Sequence, residues 1–265
     1  DGKTIFIGAV GDLGDEARTP LHIDSSFDIG SISKQFTAMA VLRLVEERKV
    51  GLDTSIMTYL PDFPYPEITV RQLLSHVSGI PEMMPYYSRL LRQGPAKAPV
   101  TGADIVTVLA HERPALTFRP GERFAYSNTG YMVLAALVER RTGRSLANYM
   151  ETTFFKPLGM KDTRLRTAAN EAAIRRRAFG FGDAPLGERR KIDQFPGFYI
   201  QGAGGIYSTV QDLLKGQNGL NAGRVISRSL LIQATTPVRL LDGSTKPYGF
   251  GLGLKPDTAG SSRIS

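Results

Sequence analysis

Residues 27–37 read Phe-Asp-Ile-Gly-Ser-Ile-Ser-Lys-Gln-Phe-Thr, and they lead into the most apolar helical pattern of the chain. From Ile32 to Val45 apolar residues occupy almost every side of a helical wheel, which is typical of a buried helix rather than a surface one. Gly30 precedes the pattern, and a charged segment followed by Gly51 closes it. We therefore predict a central helix that runs to about Lys49.

Ser31 and Lys34 lie three positions apart at the start of this helix, so their side chains share one face and can meet. A serine hydroxyl is a weak nucleophile until a neighbouring base takes its proton. Burial and the positive end of a helix dipole both disfavour the charged form of a lysine. The pattern thus indicates a nucleophile and its base. Both residue types are common, however, so the motif by itself leaves a purely structural interpretation open.

Composition narrows the functional classes. The chain has 265 residues, 42% of them hydrophobic and 22% charged, as in an ordinary globular protein, and no apolar run approaches the ~18 residues of a membrane span. It has no cysteine, and its histidines show no ligand spacing, so we expect neither disulfides nor a metal. The glycines at 202, 204 and 205 lack the pattern of a dinucleotide loop, so we expect no cofactor. The net charge of +8 comes with short basic runs and no nucleic-acid motif, so we expect no nucleic-acid partner.

The order of elements predicts an α/β (α+β) fold. Lys3–Ala9 and Tyr248–Leu254 have strand patterns, and the helical patterns lie mostly between them. We predict an antiparallel sheet flanked by helices, formed by residues 1–50 and 200–265, with a mostly helical lobe, residues 51–199, inserted into it. Three histidines are available for a Ser-His-Asp triad, but none has a supporting pattern, and we interpret His76 as satisfying a local turn.

Tyr126-Ser127-Asn128 stands just ahead of a second apolar helix and is the only Tyr-x-Asn of the chain. Taken together with Ser31-x-x-Lys34, it resembles the serine β-lactamase and penicillin-binding protein superfamily. The tyrosine in the second motif resembles the branch of this superfamily that contains class C β-lactamases, D-Ala-D-Ala carboxypeptidases and related esterases. Longer strings carry the same resemblance: residues 27–44, 70–80, 124–130 and 204–209.

The resemblance implies four catalytic residues. Ser31 would be acylated by a carbonyl substrate, and its backbone N–H would form half of an oxyanion hole. Lys34 and Tyr126 would share the proton transfers, with the lysine favouring a Tyr126 phenolate. Asn128 would hydrogen-bond the substrate amide or orient Lys34.

The resemblance also implies parts that this chain lacks. The family's third motif, Lys- or His-x-Gly on an inner strand, does not follow Tyr248–Leu254, and Lys49-Val50-Gly51 stands in the wrong place for it. We therefore expect the chain to be part of a longer polypeptide, truncated at both ends.

Several functional alternatives stay open at this stage. A D-Ala-D-Ala carboxypeptidase, a β-lactamase and a carboxylesterase would all use the same residues. A catalytically silent homologue that binds a penicillin or a peptide is the alternative from another class. The resemblance implies a small-molecule or peptide-like substrate and a periplasmic or secreted location, although a cytoplasmic one is not excluded.

Overall fold

The central helix is the most deeply buried element of the protein. In the computed structural model, which describes residues 4–83, 101–183, 189–192, 199–256 and 262–264, Gly30–Ile32 form a 3-10 turn and Ser33–Glu46 form helix α1. Ten of the fourteen residues of α1 are buried. The prediction of a buried helix is confirmed, with its end three residues before Lys49.

Six further α-helices are described, and capping residues explain where several begin. The side chain of Thr69 accepts a hydrogen bond from the backbone of Gln72 in a capping box, and Thr101, Ser127, Ser145 and Thr209 cap their helices in a similar way. In chain order the helices are α2 (Val70–Leu74), α3 (Gly102–Glu112), α4 (Asn128–Thr142), α5 (Leu146–Met150, continued as a π-helix over Glu151–Phe155), α6 (Val210–Asn221) and α7 (Arg228–Ala234).

The strands are short, and all of their pairings are antiparallel. Three of them form one sheet, in which β5 (Ile206–Ser208) lies between β1 (Phe27–Asp28) and β2 (Arg164–Leu165). Tyr207 of the middle strand lies opposite Asp28 on one side and opposite Arg164 on the other. The other six form two-stranded pairs. In chain order the strands are β1 (Phe27–Asp28), β2 (Arg164–Leu165), β3 (Gly180–Asp183), β4 (Arg189–Ile192), β5 (Ile206–Ser208), β6 (Val238–Arg239), β7 (Thr245–Lys246), β8 (Leu254–Pro256) and β9 (Ser262–Ile264).

The core forms where α1 packs against α4, with α2, α3 and α5 around the pair. Helix α4 is apolar all round, and ten consecutive residues from Thr129 to Val138 are buried. An edge-to-face pair of Phe36 and Phe155, with ring centroids 5.6 Å apart, joins α1 to the π-helical turn. The helix that carries Lys34, with Ser31 in the turn before it, is therefore held on several sides.

Hydrogen bonds also tie α1 to residues 202–206. Ser33 Oγ accepts from the backbone N–H of Ile206 at 3.2 Å, and Thr37 Oγ1 donates to the carbonyl oxygen of Gly202 at 2.8 Å. The backbone N–H of Ile29 donates to the carbonyl oxygen of Ile206 at 3.0 Å. The start of α1 is thus fixed against the chain that enters β5.

Two strand predictions are wrong. Of the predicted strand Lys3–Ala9, Lys3 lies outside the described residues. Residues 4–9 form no strand, because no neighbouring strand among the described residues offers them a backbone partner. Tyr248–Leu254 is mostly a bend: an isolated bridge joins Tyr248 to Gly253, and the regular strand starts only at Leu254. At Gly251 the backbone is left-handed (φ +71°), and a Cβ there would lie 2.7 Å from the carbonyl oxygen of Lys34. Close approach to α1, rather than strand pairing, explains this glycine.

Helices combined with antiparallel sheets give the predicted α+β class. The division into a sheet part (1–50 and 200–265) and an inserted lobe (51–199) stays a prediction. Within the described part of the chain, no helix is both long enough and apolar enough to cross a membrane.

Candidate active site

Ser31 lies in an exposed turn, next to the buried amine of Lys34. It occupies the 3-10 turn that precedes α1, and its residue is exposed to solvent. Gly30 adopts a left-handed conformation (φ +51°) with open space where a Cβ would point, and its backbone N–H donates to Asp28 Oδ1 at 2.9 Å. A glycine accommodates this turn without the steric cost that other residues would meet. The chain therefore leaves β1 and presents the Ser31 hydroxyl at the surface.

Lys34 is fully buried, and its amine makes three polar contacts. Nζ lies 3.2 Å from Ser31 Oγ, 2.8 Å from Asn128 Oδ1 and 2.7 Å from the carbonyl oxygen of Ala203. A neutral amine has two N–H donors and one lone pair. The two carbonyl-type oxygens accept only, so in the neutral form they take both N–H groups, and the lone pair is left for the Ser31 hydroxyl.

The surroundings of Lys34 favour that neutral form. Burial lowers the pKa of Lys34 from 10.5 to about 8, although the nearby negative charge of Glu82 acts in the opposite direction. A buried lysine at this position therefore loses its proton more readily than an exposed one. The pair thus combines an accessible hydroxyl with a base whose pKa is close to neutral pH.

Tyr126 lies beside the same two residues. Lys34 Nζ is 4.7 Å from the centroid of its ring, and the phenol is hydrogen-bonded to Ser31. The expectation of a phenolate is wrong, because the pKa of Tyr126 is raised: burial is the largest cause and the charge of Glu82 adds to it, while the bond to Ser31 lowers it. Tyr126 is therefore a neutral phenol that can donate a proton.

Asn128 is the first residue of α4, and Ser127 caps that helix by accepting from the backbone N–H of Gly130. The side chain of Asn128 accepts a hydrogen bond from Lys34 Nζ, and this direct contact supports the predicted role of Asn128 in orienting the lysine. The carboxylate of Glu82 accepts from the backbone N–H of Asn128 at 2.6 Å and from Thr129 Oγ1 at 2.9 Å. The structure thus brings all four predicted residues together around the amine of Lys34.

Sequence analysis missed three contributors to this site. The carbonyl of Ala203 carries no side-chain signal, and Glu82 stands in no motif. His76 is fully buried at φ +59°, and its Nδ1 accepts from the backbone N–H of Ser127 at 3.1 Å. His76 does lie in a turn, as predicted, but its ring also packs against the Tyr126 ring, tilted by 38° and with the centroids 4.4 Å apart. Only the backbone fold brings these groups to the site.

No group of three or more metal-binding side chains occurs among the residues that the structure describes. The side chains that meet at Lys34 are a hydroxyl, an amine, a phenol and a carboxamide, which are groups that acyl transfer through a serine nucleophile can use.

The comparison with known proteins identifies the family. The beta-lactamase family model matches residues 1–262. This chain belongs to the beta-lactamase family. It is 33% identical over 245 residues to penicillin-binding protein 4* of Bacillus subtilis, covering 88% of this chain and 53% of that protein. It is 29% identical to a D-aminopeptidase of Brucella anthropi, covering 96% of this chain and 47% of that protein.

Comparison with solved structures shows that this chain has the fold of penicillin-binding protein homologues. The octameric penicillin-binding protein homologue from Pyrococcus abyssi superposes with a TM-score of 0.84 at 28% identity, over 100% of this chain and 61% of that one. This chain spans about half the length of the curated relatives that it matches. The resemblance inferred from Ser31, Lys34, Tyr126 and Asn128 to the β-lactamase and penicillin-binding protein superfamily is thereby confirmed, as is the fold.

Proposed function

We propose that this chain carries the active site of a serine hydrolase that forms an acyl-enzyme with an amide, peptide, β-lactam or ester carbonyl. The observation that carries the proposal is the arrangement at Lys34 Nζ, where two carbonyl-type acceptors and the Ser31 hydroxyl surround one buried amine. Family membership supports it, since the relatives include a penicillin-binding protein and a D-aminopeptidase.

In the proposed acylation step, neutral Lys34 takes the hydroxyl proton of Ser31 while Oγ attacks the substrate carbonyl. The backbone N–H of Ser31 stabilises the negative charge that develops on the carbonyl oxygen. As the bond to the leaving group breaks, Tyr126 donates its phenolic proton to that group. The Lys34 ammonium then lies beside the Tyr126 phenolate and returns a proton to it, so the charges and protons balance.

Deacylation reverses the roles of these groups. The lone pair of Lys34, assisted by Tyr126, takes a proton from a water molecule that attacks the acyl carbonyl, and the proton returns to Ser31 Oγ as the ester bond breaks. Asn128 keeps the lysine in place through both steps because its Oδ1 accepts one of the two N–H groups. Which carbonyl class is turned over depends on the surroundings of the acyl group and on the deacylation rate.

Covalent labelling of Ser31 tests this proposal directly. The purified chain is incubated with a phosphonate serine-hydrolase probe and with a penicillin, and the intact mass is followed with time. We expect one adduct per chain, lost in Ser31→Ala, and hydrolysis of a p-nitrophenyl ester that falls about 1,000-fold or more in the same variant. Ser229→Ala, on the exposed side of α7, is the matched control and should be labelled at the normal rate.

The catalytically silent homologue makes the opposite prediction. The hydrolase proposal would be overturned if the folded chain bound penicillin reversibly, formed no adduct with either probe and hydrolysed no ester. An adduct that forms but persists for hours would instead indicate a slow penicillin-binding protein, because acylation would then work without efficient deacylation.

The proposal extends to partners and location. A small-molecule or peptide-like substrate fits an exposed nucleophile, and we propose a periplasmic or secreted protein without a nucleic-acid partner. The basic net charge of +8 predicts weak non-specific attraction to polyanions at most, so any DNA binding should vanish at physiological salt.

A further inference from the structure

His76 brackets Tyr126 on both sides along the chain. Its backbone carbonyl accepts from the N–H of Ala125 at 2.9 Å, and its Nδ1 accepts from the N–H of Ser127 at 3.1 Å. Between these two bonds, the imidazole ring lies against the Tyr126 ring with the centroids 4.4 Å apart. A single residue thus holds the residue before Tyr126, the residue after it and the side chain itself.

The hydrogen bonds determine the tautomer of His76. A backbone N–H can only donate, so Nδ1 must be unprotonated, and the ring proton of the neutral imidazole is then on Nε2. Nε2 lies 3.1 Å from the hydroxyl oxygen of Tyr248, so Nε2–H can donate a hydrogen bond to that oxygen. A protonated ring would direct an N–H at the N–H of Ser127, so the charged form does not fit.

The contacts continue beyond Tyr248 to the backbone. The Tyr248 hydroxyl is hydrogen-bonded to Tyr131, and the Tyr131 hydroxyl donates to the carbonyl oxygen of Leu74 at 2.7 Å. Each oxygen in this series has an acceptor for its own proton. The orientation of the His76 ring is therefore tied to α2 at one end and to the cap of α4 at the other.

The electrostatic surroundings keep His76 neutral. Burial, with a further contribution from the charge of Lys34, lowers the pKa of His76 to about 3. The other titratable groups that face its ring are the phenols of Tyr126, Tyr131 and Tyr248. The ring can therefore accept from Ser127 throughout the pH range in which Lys34 acts as a base.

We propose that His76 is a positioning residue of the active site, whose neutral imidazole holds Tyr126 in the orientation required for proton transfer at Ser31. This inference rests on the proposed function. His76 itself contacts neither the nucleophile nor the lysine amine by a hydrogen bond. It acts through Tyr126 and through the start of α4, which carries Asn128. Displacement of a catalytic group by about 1 Å is enough to cost about 100-fold in rate.

Two amide substitutions separate the ways in which His76 acts. In His76→Asn, Oδ1 replaces Nδ1 and still accepts from Ser127, and asparagine tolerates the left-handed backbone. In His76→Gln, the amide reaches the position of Nε2, so the contact with Tyr248 is kept and the acceptor for Ser127 is lost. We expect the phosphonate labelling rate of Ser31 to fall about 100-fold in His76→Gln and less than tenfold in His76→Asn. His111→Asn and His111→Gln, at an exposed histidine near the end of α3, are the controls.

The kinetics distinguish positioning from a structural role. A residue that only maintains the fold would lower the fraction of chains that react, which is the labelling amplitude, and leave the rate constant of each reactive chain unchanged. We expect the reverse: a full amplitude with a reduced rate constant, and with substrate a reduced kcat at a KM within about twofold of normal. A normal rate constant in His76→Gln would overturn the inference.

The tyrosine partner gives an independent test. Tyr248→Phe removes the acceptor for Nε2–H, and we expect the labelling rate constant to fall about tenfold. Tyr65→Phe is its control, since the hydroxyl of Tyr65, which is buried, also makes a hydrogen bond, to the backbone carbonyl of Pro114. Equal effects of the two variants would contradict the inference.

A spectroscopic measurement keeps the inference separate from the proposed function. If the unsubstituted chain is never labelled, the proposed hydrolase fails. Nitrogen-15 NMR of the His76 ring then still decides the inference. We expect a neutral ring protonated at Nε2 and slow exchange of the Ser127 amide, and faster exchange of that amide in His76→Gln. A ring protonated at Nδ1, or an unchanged Ser127 amide, would overturn it.

Discussion

At the scale of single residues, the site depends on the difference between two acid–base groups that lie side by side. Burial lowers the pKa of Lys34 and raises the pKa of Tyr126, because it disfavours an ammonium and a phenolate alike. The same environment therefore produces a neutral amine and a neutral phenol. That pair suits a base that receives a proton and an acid that supplies one, without a charge on either group at the start of the reaction.

The pKa of Lys34 predicts the pH dependence of acylation. Only the neutral amine accepts the Ser31 proton, so kcat/KM should rise with pH, reach half of its plateau near pH 8 and level off above it. The measurement is the second-order rate of ester hydrolysis or phosphonate labelling between about pH 5 and about pH 9.5, which brackets this pKa. A rate that is independent of pH across this range would contradict the assignment of Lys34 as the base.

Replacement of Lys34 gives a second test of the same assignment. Lys34→Met keeps an unbranched side chain of similar length but removes the lone pair, and loss of a general base costs about 100- to 10,000-fold in rate. We expect the labelling rate of Ser31 to fall within that range. The control is Lys161→Met, at an exposed lysine outside the site, which should react normally.

The charge of Glu82 provides a finer adjustment. It raises the pKa of Lys34 against the larger effect of burial, and it also raises the pKa of Tyr126. In Glu82→Gln the amide oxygen can still accept from the backbone of Asn128, but the charge is gone. We expect the acidic limb of the pH–rate profile to move to lower pH. A shift to higher pH would mean that the carboxylate acts on the site through structure and not through its charge.

At the scale of elements, the site is built where α1, the start of α4 and the chain entering β5 meet. Side chains of α1 bind residues 202–206 at Ser33, Lys34 and Thr37. In two of the three bonds the acceptor is a carbonyl oxygen of the segment, and one of these places the Ala203 carbonyl beside the lysine amine. The bend at 202–205 therefore has a chemical consequence as well as a structural one.

Gly202 tests the importance of this bend for stability. It has φ +91°, and a Cβ there would lie 2.4 Å from the carbonyl oxygen of Tyr131 and 2.8 Å from the Cβ of Ala135. Gly143, the C-cap of α4, is also left-handed (φ +65°), but a Cβ added there would meet nothing within 4 Å. Gly143→Ala should lose about 1 kcal/mol of unfolding free energy, and Gly202→Ala about 3 kcal/mol or more, because a backbone clash adds to the strain.

Urea denaturation of the two glycine variants measures this difference. The variants match in residue type and in the sign of φ, so the difference between them reports the contact of residue 202 with α4. Equal losses would show that the bend can move away from α4 at little cost, and would contradict a rigid attachment.

At the scale of the whole molecule, His76 links the stability of the fold to pH. Its pKa is about 3 in the folded protein and near 6.5 when exposed, so the unfolded chain binds one more proton between these values. Stability from this group is fully present above pH 6.5 and is lost as the pH falls towards 3. The slope is up to about 1.4 kcal/mol per pH unit.

Unfolding free energies measured at intervals from about pH 7 to about pH 4 test this linkage. We expect His76→Asn to flatten the fall in stability on acidification, since asparagine does not titrate, whereas His111→Asn at an exposed position should leave the slope unchanged. An unaltered slope in His76→Asn would show that other groups cause the acid sensitivity.

Local pattern was sufficient to predict the central helix and to select the four candidate residues that the structure brings together. The apolar run from Ile32 to Val45 specifies a buried helix, and the spacing of Ser31 and Lys34 places both on one face because the helical repeat is local. The caps at Thr69 and Thr209 are local too, since each side chain accepts from a backbone N–H three residues further along the chain. The family follows from these motifs, and the match over residues 1–262 agrees with it.

Pattern failed where partners come from distant parts of the chain. Residues 4–9 have strand composition but no strand to pair with among the described residues, and Gly251 serves close packing against α1 instead of a ladder. Strand formation depends on a neighbour that composition does not report.

By itself, the sequence determined the central helix and the family, because the apolar repeat of the helix and each family motif are written in neighbouring residues. It also singled out Ser31 and Lys34 as the candidate nucleophile and base. Only the tertiary structure decided the protonation of the site and its supports. The pKa values of Lys34, Tyr126 and His76 depend on burial and on charges that the fold brings near. The same is true of the Ala203 carbonyl, 169 positions from Lys34, which completes the environment of the amine.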